Sequence, residues 1–366
     1  MSLQQKIDDI EFELSRTQIN KATMHHICML RAKMAKYRKE LLTPDKKGPA
    51  GEGFDVAKFG DARVGMVGFP SVGKSTLLTK MTDTESKAAA YEFTTLTCIP
   101  GVLNYNGSKV QLLDLPGIIE GAKDGKGRGR QVISVARTCD CIMLLIDGTK
   151  SLDLKEKIEY ELEGFGIRLN KRPPKIKIVK KTAGSVSFTP SIPQTYLTQE
   201  NVRLTLKEYK ILNADVYCDC DASVQDLIDA IDQSCKYIPC IYVVNKIDQM
   251  NKEDVDRLKT VPYFACISAM TEEGIDALRK QIWEQLNLIR VYTKVPGEFP
   301  DFKDAIVLPA KKATVENICF KIHKQLAGQM KYALVWGTSV ARSPQRVGKE
   351  HKLDDEDVLQ IIKGGK

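Results

Sequence analysis

Apolar residues recur at alternating spacings of four and three across the first stretch of the chain, at Leu3, Ile7, Ile10 and Leu14 and again at Ile27, Leu30, Met34, Tyr37 and Leu41. That rhythm puts each set on one face of a helix, and the polar stretch Ser15-Arg16-Thr17-Gln18 between them suits a turn. The pattern predicts an antiparallel helical hairpin over residues 1–45, with basic residues on its outer faces. Pro44 ends it, and the Pro- and Gly-rich composition of residues 46–61 predicts a linker.

From Ala62 the rhythm changes. Short, unbroken apolar runs appear at Arg63–Val67, Val110–Leu113, Cys141–Ile146, Cys240–Val244 and Phe264–Ile267, with helix-like stretches between several of them. Strands that are apolar on both faces suit a parallel sheet covered by helices on either side. The expected fold class is therefore α/β, a doubly wound domain over residues 62–288. Between the third and fourth runs the chain is too long for one crossover connection. An inserted α+β subdomain is expected at 164–236, with a strand-like middle (Val186, Phe188, Ile192) and the amphipathic helix Asp226–Ile231. Beyond Leu286 a separate small β-grasp module is expected over 290–366, with strands at Val291–Thr293, Ala305–Leu308, Ala333–Trp336 and Val358–Ile362 and a helix at Val315–Leu326.

Composition narrows the class without deciding it. The chain has 366 residues, is 43% hydrophobic and 28% charged, and is too long for one typical domain. No apolar run approaches the roughly 20 residues that cross a bilayer, and the N-terminus lacks the apolar core of a signal peptide, so a cytoplasmic protein is expected. Its ten cysteines are sparse and never take the paired spacing of a zinc site; buried small hydrophobes in a reducing compartment are the simpler reading. The net charge of +8 is uneven, with seven basic and no acidic residues between Arg168 and Lys181. Such a run suits a polyanion such as RNA, although a solvated face is the commoner origin of any one run.

Chemistry enters with Gly68-Phe69-Pro70-Ser71-Val72-Gly73-Lys74-Ser75, which joins the strand Val64–Val67 to a helix-forming stretch beginning at Thr76. In that context the glycines let backbone N–H groups curl round phosphate oxygens. The helix N-terminus and the Lys74 ammonium add positive charge, and Ser75 offers a hydroxyl to Mg²⁺. The loop alone does not separate ATP from GTP. Asn245-Lys246-Ile247-Asp248, at the end of an apolar run, does: the Asp248 carboxylate presents only acceptors and pairs with N1–H and the exocyclic amine of guanine. A site that demands such a partner rejects an analogue lacking it by roughly 10⁴-fold or more. Asn245 is expected to tie the loop together and contact the base, with the Lys246 stem over its face, and Ser268-Ala269-Met270 to close over the guanine. Asp114-Leu115-Pro116-Gly117 supplies a carboxylate that holds Mg²⁺ through water and a Gly117 N–H that senses the γ-phosphate. Upstream, Phe93-Thr94-Thr95-Leu96-Thr97 offers a switch threonine, with Thr95 the favoured metal ligand over Thr94. The catalytic set is thus Lys74, Thr95 and Gly117, and the metal set is Ser75, Thr95 and Asp114.

One position stands out for what it lacks. Small GTPases of the Ras kind carry a glutamine directly after this Asp-x-x-Gly to orient the attacking water. Ile118 stands there, followed by Ile119, and neither polarises water. Hydrolysis is then either slow or served by another group, and the basic, glycine-rich stretch Gly121–Arg130 could move to supply Lys126, Arg128 or Arg130, or could equally meet RNA or a partner.

The motifs taken together, with Tyr91-Glu92-Phe93-Thr94-Thr95-Leu96 and Asp114-Leu115-Pro116-Gly117-Ile118-Ile119-Glu120-Gly121-Ala122, resemble the Obg class of GTPases. Within it the chain resembles the developmentally regulated GTP-binding proteins over essentially its whole length. Gly51-Glu52-Gly53-Phe54-Asp55-Val56, Thr95–Gly101 and Tyr332–Ser339 look like the second eukaryotic paralogue of that family. The resemblance implies an N-terminal hairpin, a GTPase domain interrupted by an insert like ribosomal protein S5, and a C-terminal TGS domain. It also implies ribosome and rRNA association in the cytoplasm and a regulatory partner with an RWD domain. GTPases with a hydrophobic residue in place of the glutamine often use K⁺, and many of these have asparagine where this loop has Ser71.

Two function classes follow. One is a slow Mg²⁺-dependent GTPase switch that engages ribosomal RNA. The other, motivated by Ile118, is a GTP-sensing scaffold with negligible hydrolysis, against which intact Lys74, Ser75 and Thr95 argue. Asp248 disfavours an ATP-dependent enzyme.

Overall fold

The computed structural model describes residues 3–18, 20–42, 58–82, 100–115, 127–150, 153–232 and 235–364. They form two compact units, one made of Met1–Asp55, Gly117–Arg137 and Leu152–Ile238, the other of Val56–Pro116, Thr138–Ser151 and Pro239–Lys366.

In the first unit, α1 (Leu3–Arg16) and α2 (Lys21–Leu42) form the hairpin that the heptad-like spacing predicts, with Ile7, Ile10, Ile27 and Leu30 buried. The outer face of α2 carries more than the expected basic residues. Cys28 and Ala32, together with the half-buried Met24 and Ala35, join the core of the following α+β region. The helix carries two apolar faces, so its sequence shows only a weak one-sided stripe.

Next come α3 (Lys74–Met81), which lies in the other unit, then α4 (Gly127–Ala136) and α5 (Asp153–Gly164). The stretch read from sequence as a moving switch is therefore helical from Gly127 onward, while Lys126 lies outside the described residues. The region after α5 holds β5 (Ile167–Leu169), paired in parallel with β9 (Lys236–Ile238). It also holds a second sheet of β6 (Ile176–Lys180), β7 (Ser187–Pro190) and β8 (Ala214–Cys218), in the order β6-β8-β7. Helices α6 (Gln199–Glu208) and α7 (Val224–Ile231) pack with that sheet around Val202, Leu206, Val216, Leu227 and Ile228. Thr198 caps α6, and Ser223 with Asp226 forms a reciprocal box at the start of α7, satisfying N–H groups that have no partner inside the helix. The apolar spacing of 226–231 announced α7, whereas α6, with few apolar positions, was not foreseen. Ile192, expected on a strand, lies outside β7 and is exposed.

The basic run also needs correcting as a uniform polyanion face. Arg168 is 5% exposed, and its guanidinium grips the buried Asp229 through Nε and Nη2 at 2.6 and 2.7 Å. Lys171 pairs with Glu163, and Lys181 with Asp215 at 2.5 Å. Lys175, Lys177 and Lys180 are exposed. Sequence proximity grouped residues that the backbone then sent to different partners.

In the second unit, β1 (Ala62–Gly68), β2 (Pro100–Tyr105), β3 (Ser108–Asp114), β4 (Cys141–Asp147), β10 (Cys240–Asn245) and β11 (Phe264–Cys266) form a sheet. Among the described residues its order is β11-β10-β4-β1-β3-β2, parallel except for the β2–β3 pair. Every residue of β1 and β4 is buried, as the unbroken apolar runs require. β2 was missed from sequence, although Asn106-Gly107, both at positive φ, is the two-residue hairpin signal. Helices α8 (Lys252–Lys259) and α9 (Ile275–Leu286) complete the layer, and Leu77, Leu278, Ile282 and Leu286 seal one face of the sheet.

The C-terminal part of this unit is a five-stranded sheet in the order β13-β12-β16-β14-β15. Its strands are β12 (Leu288–Thr293), β13 (Asp301–Pro309), β14 (Met330–Trp336), β15 (Gln345–Val347) and β16 (Asp357–Lys363). The helix expected at Val315–Leu326 is two pieces, α10 (Val315–Ile322) and α11 (Leu326–Gln329). His323 is extended, and the break turns Leu326 and Ala327 back onto the core.

If Arg168 owes its place to Asp229, Asp229→Ala leaves a buried, unpaired guanidinium. It is expected to cost about 3–5 kcal/mol and lower the urea midpoint clearly. Lys177→Ala, on the exposed part of the same run, is expected to change stability by less than about 0.5 kcal/mol. Equal midpoints for the two variants would contradict the assignment.

Candidate functional site

Three loops at the C-terminal ends of neighbouring strands are held together by one side chain. After β1 the chain turns through Ser71 (φ 63°) and Gly73 (φ 93°) into α3. After β10, Lys246 also has positive φ (68°), and Ile247–Gln249 make a single 3-10 turn. After β11 comes Ile267-Ser268-Ala269. The Asn245 amide nitrogen donates to the Val72 carbonyl at 2.8 Å, and its oxygen accepts from the Ala269 N–H at 2.9 Å. Asn245 is 3% exposed, so both bonds are made away from water, where an unmet partner is costly. Gly73 is required beside it, because a Cβ there would stand 2.3 Å from the Asn245 amide nitrogen.

Within the first loop the Lys74 ammonium donates to the carbonyls of Gly68 and Phe69 at 2.8 and 2.9 Å, which spans the curl and holds the charge inside it. Ser75 Oγ donates to Asp114 Oδ2 at 3.2 Å, so the ends of α3 and β3 meet. Asp114 is 7% exposed, and its Oδ1 is buried with no hydrogen-bond donor among the described residues. Burial raises its pKa, opposed by the nearby Lys74 charge and by the Ser75 hydrogen bond. A buried carboxylate oxygen with no donor, beside a hydroxyl and an ammonium, is a hard oxygen set of the kind that takes Mg²⁺. The residues present fit that ion.

The remaining expected residues fall into two groups. Asp248 is exposed, with no hydrogen bond or ion pair among the described residues, so its carboxylate acceptors are open to a ligand. Ser268 is fully buried and braces its loop, its N–H donating to the Glu273 carbonyl at 3.0 Å and its hydroxyl accepting from the Thr271 N–H at 3.3 Å. Met270 is 77% exposed, Leu115 is buried, and Thr76 is exposed at the start of α3. Phe93, Thr94, Thr95, Leu96, Thr97, Pro116, Gly117 and Ile118 lie outside the described residues.

One charged neighbour of these loops went unseen in the sequence. Asp147, at the end of β4, is 2% exposed and accepts from the Lys246 ammonium at 2.7 Å, and its other oxygen accepts from the Thr149 hydroxyl at 2.7 Å. Burial raises its pKa, but the bonds from Lys246 and Thr149 outweigh that and hold the carboxyl below the ordinary aspartate range. Lys246 is thereby drawn to β4 at its charged end, which fixes the line of its stem. The signal was present: Asp147-Gly148-Thr149 ends an apolar strand as Asp114-Leu115-Pro116-Gly117 does.

Comparisons with known proteins agree with this geometry. Residues 63–181 match the family model described as 50S ribosome-binding GTPase, and 183–288 match the C-terminal region of that domain. Residues 289–363 match the TGS domain. The chain is 56% identical over 365 residues to developmentally-regulated G-protein 3 of Arabidopsis thaliana, covering 99% of each. It is 55% identical to developmentally-regulated GTP-binding protein 1 of Xenopus laevis, covering 98% of each. It is 54% identical to developmentally-regulated GTP-binding protein 2 of Homo sapiens, covering 99% of this chain and 100% of that one. Relatives named for the first and second members stand within a percentage point, so overall identity does not separate them.

Asn245→Ala removes both ties at once and is expected to weaken GDP and GTP binding together, by roughly 10- to 100-fold, as two buried partners lose their bonds. Titration with a fluorescent guanine nucleotide checks this, and unchanged affinity would show that the tie is not needed. The Lys246–Asp147 pair contributes fully above the ordinary aspartate pKa of about 4 and is lost as pH falls through the lowered value. Asp147→Asn is therefore expected to weaken binding at neutral pH and to flatten the acid limb of its pH profile.

Proposed function

The chain belongs to the developmentally regulated GTP-binding protein family, with a GTPase domain and a TGS domain, and from that premise we propose that it is a slow, Mg²⁺-dependent GTPase switch. The observation that carries the reading is the cluster of Lys74, Ser75 and the unsatisfied Asp114 oxygen, within a site whose loops Asn245 ties together. Loop N–H groups and Lys74 bind the phosphates, and Asp248 accepts from the guanine edge. Ser75 and Asp114 would hold the Mg²⁺, which when bound offsets charge on the β and γ phosphates. Thr95 and Gly117 complete the set in this proposal, as ligand and sensor of the γ-phosphate. Ile118 in place of a water-orienting glutamine supports an Obg-type enzyme with slow turnover. Ile118 also supports the second reading, a GTP-sensing scaffold, and one assay decides between them.

Ribosome association in the cytoplasm is part of the proposal. It is supported by the description of the matched family model and by exposed Lys175, Lys177 and Lys180, which suit rRNA phosphates. A regulatory partner with an RWD domain is proposed from the family resemblance alone.

Phosphate release measured with and without K⁺, with Lys74→Ala as blank, is expected to exceed the blank with GTP and Mg²⁺. Rates equal to the blank in every condition would leave the scaffold reading. Asp248→Asn is expected to move preference from guanine toward xanthine nucleotides, and retained GTP preference would contradict the base reading. Reversing the charge of Lys175, Lys177 and Lys180 is expected to weaken co-sedimentation with ribosomes and make it less salt-sensitive. Unchanged binding would leave these residues as a solvated face.

A further inference from the structure

The first unit contains a cavity of about 460 Å³, bounded by α1 and α2 on one side and by α5, its following strap and α7 on the other. Its size lies within the range of about 300–1,000 Å³ seen for small-molecule pockets. None of its lining residues belongs to the loops around Lys74, Asp114 or Asn245.

Its lining is cationic: six Lys or Arg side chains stand against three carboxylates. The carboxylates are already matched. Asp229 is gripped by Arg168, Asp232 accepts from Lys39 at 2.6 Å, and Glu163 pairs with Lys171. Arg38 reaches out to Glu11 at 2.5 Å. Arg31 also lines the cavity, half-buried, and makes no hydrogen bond or ion pair among the described residues. A guanidinium in a partly enclosed wall, beside carboxylates that other cations have neutralised, favours an incoming anion and offers it a planar fork.

Apolar surface lines the cavity beside these cations. Leu14, Ile27 and Met34 supply aliphatic surface, and the half-exposed Tyr160 ring has the Arg38 guanidinium 5.7 Å from its centre. The Gly164 backbone passes close to Arg38, and a Cβ there would lie 2.8 Å from its Nη1. Cationic groups set beside aliphatic and aromatic surface in one cavity match a ligand with an anionic head and a flat apolar body.

We propose that this cavity is a second ligand site, which binds a phosphate-bearing compound of nucleotide size, free or as the phosphorylated end of an RNA strand, with Arg31 holding the phosphate. Arg137, directly after α4, also lines the cavity and donates to the Phe165 carbonyl at 3.2 Å. A ligand there would touch the end of the helix that follows the Asp114-Leu115-Pro116-Gly117 motif in sequence.

The test uses the full chain loaded with GDP and Mg²⁺, so that the guanine site is filled. Equilibrium dialysis with ADP, and separately with a short 5′-phosphorylated oligoribonucleotide, reads the cavity. Saturable binding of ADP supports the site for free nucleotides, and binding of the oligonucleotide alone supports the RNA source. In either case Arg31→Ala is expected to weaken binding by about tenfold or more, the effect of one lost charge-assisted contact. Arg31→Lys, which keeps the charge and loses the fork, should fall between. GDP retention and the thermal midpoint of both variants report whether the fold is intact. No binding of either probe up to about 1 mM, or binding that Arg31→Ala leaves unchanged in a folded protein, overturns the proposal.

Discussion

A single buried amide organises the candidate site. Asn245 spends its donor on the Val72 carbonyl and its acceptor on the Ala269 N–H, so the loops after β1, β10 and β11 share one anchor. Asn245 is itself placed by β10, which lies beside β4 in the middle of the sheet. The arrangement places demands on its surroundings. Gly73 must lack a side chain, and Ser71, Gly73 and Lys246 must hold positive φ. Such backbone persists where several contacts over-determine it, and here the Lys74 bonds to two loop carbonyls add to the Asn245 tie. Affinity for a charged ligand follows from rigidity of this kind, because the donors need no reordering when the ligand arrives.

Several charges among the described residues are committed to fixed partners. Asp147 holds Lys246, Asp229 holds Arg168, and Asp232 holds Lys39, each a partly or fully buried partnership. A buried pair adds little net stability but is costly to break, so it fixes geometry more than it strengthens the fold. What remains open is then informative. Asp248 presents free acceptors, Asp114 has a free buried oxygen, and Arg31 has a free fork in a cavity wall. Each of these groups has chemistry left to offer a ligand.

The C-terminal sheet shares the second unit's core instead of standing apart from it. Leu288 and Val307, from its first two strands, pack into the same cluster as Leu112 and Leu286. Lys321 on α10 reaches both Asp61 and the Val307 carbonyl, and the Arg290 guanidinium of β12 lies 5.8 Å from the Trp283 ring centre. The sequence boundary near Leu288 marks a change of pattern, and the packing runs across it.

Local chemistry was legible from the chain alone. Unbroken apolar runs specified buried parallel strands, and glycines between a strand and a helix specified the tight turn after β1. The Asn245-Lys246-Ile247-Asp248 motif marked the turn that ends β10, because each of these depends on residues adjacent in sequence. Partnerships between distant positions were not legible. The second buried face of α2 needs the α+β core it packs on, the division of the basic run needs Glu163, Asp215 and Asp229, and the Lys246–Asp147 tie needs β4 beside β10. A charge run read along the chain gives each cation equal standing. Only the folded backbone, by bringing a carboxylate within hydrogen-bond reach of some and leaving others in water, decides which are structural and which remain free to bind.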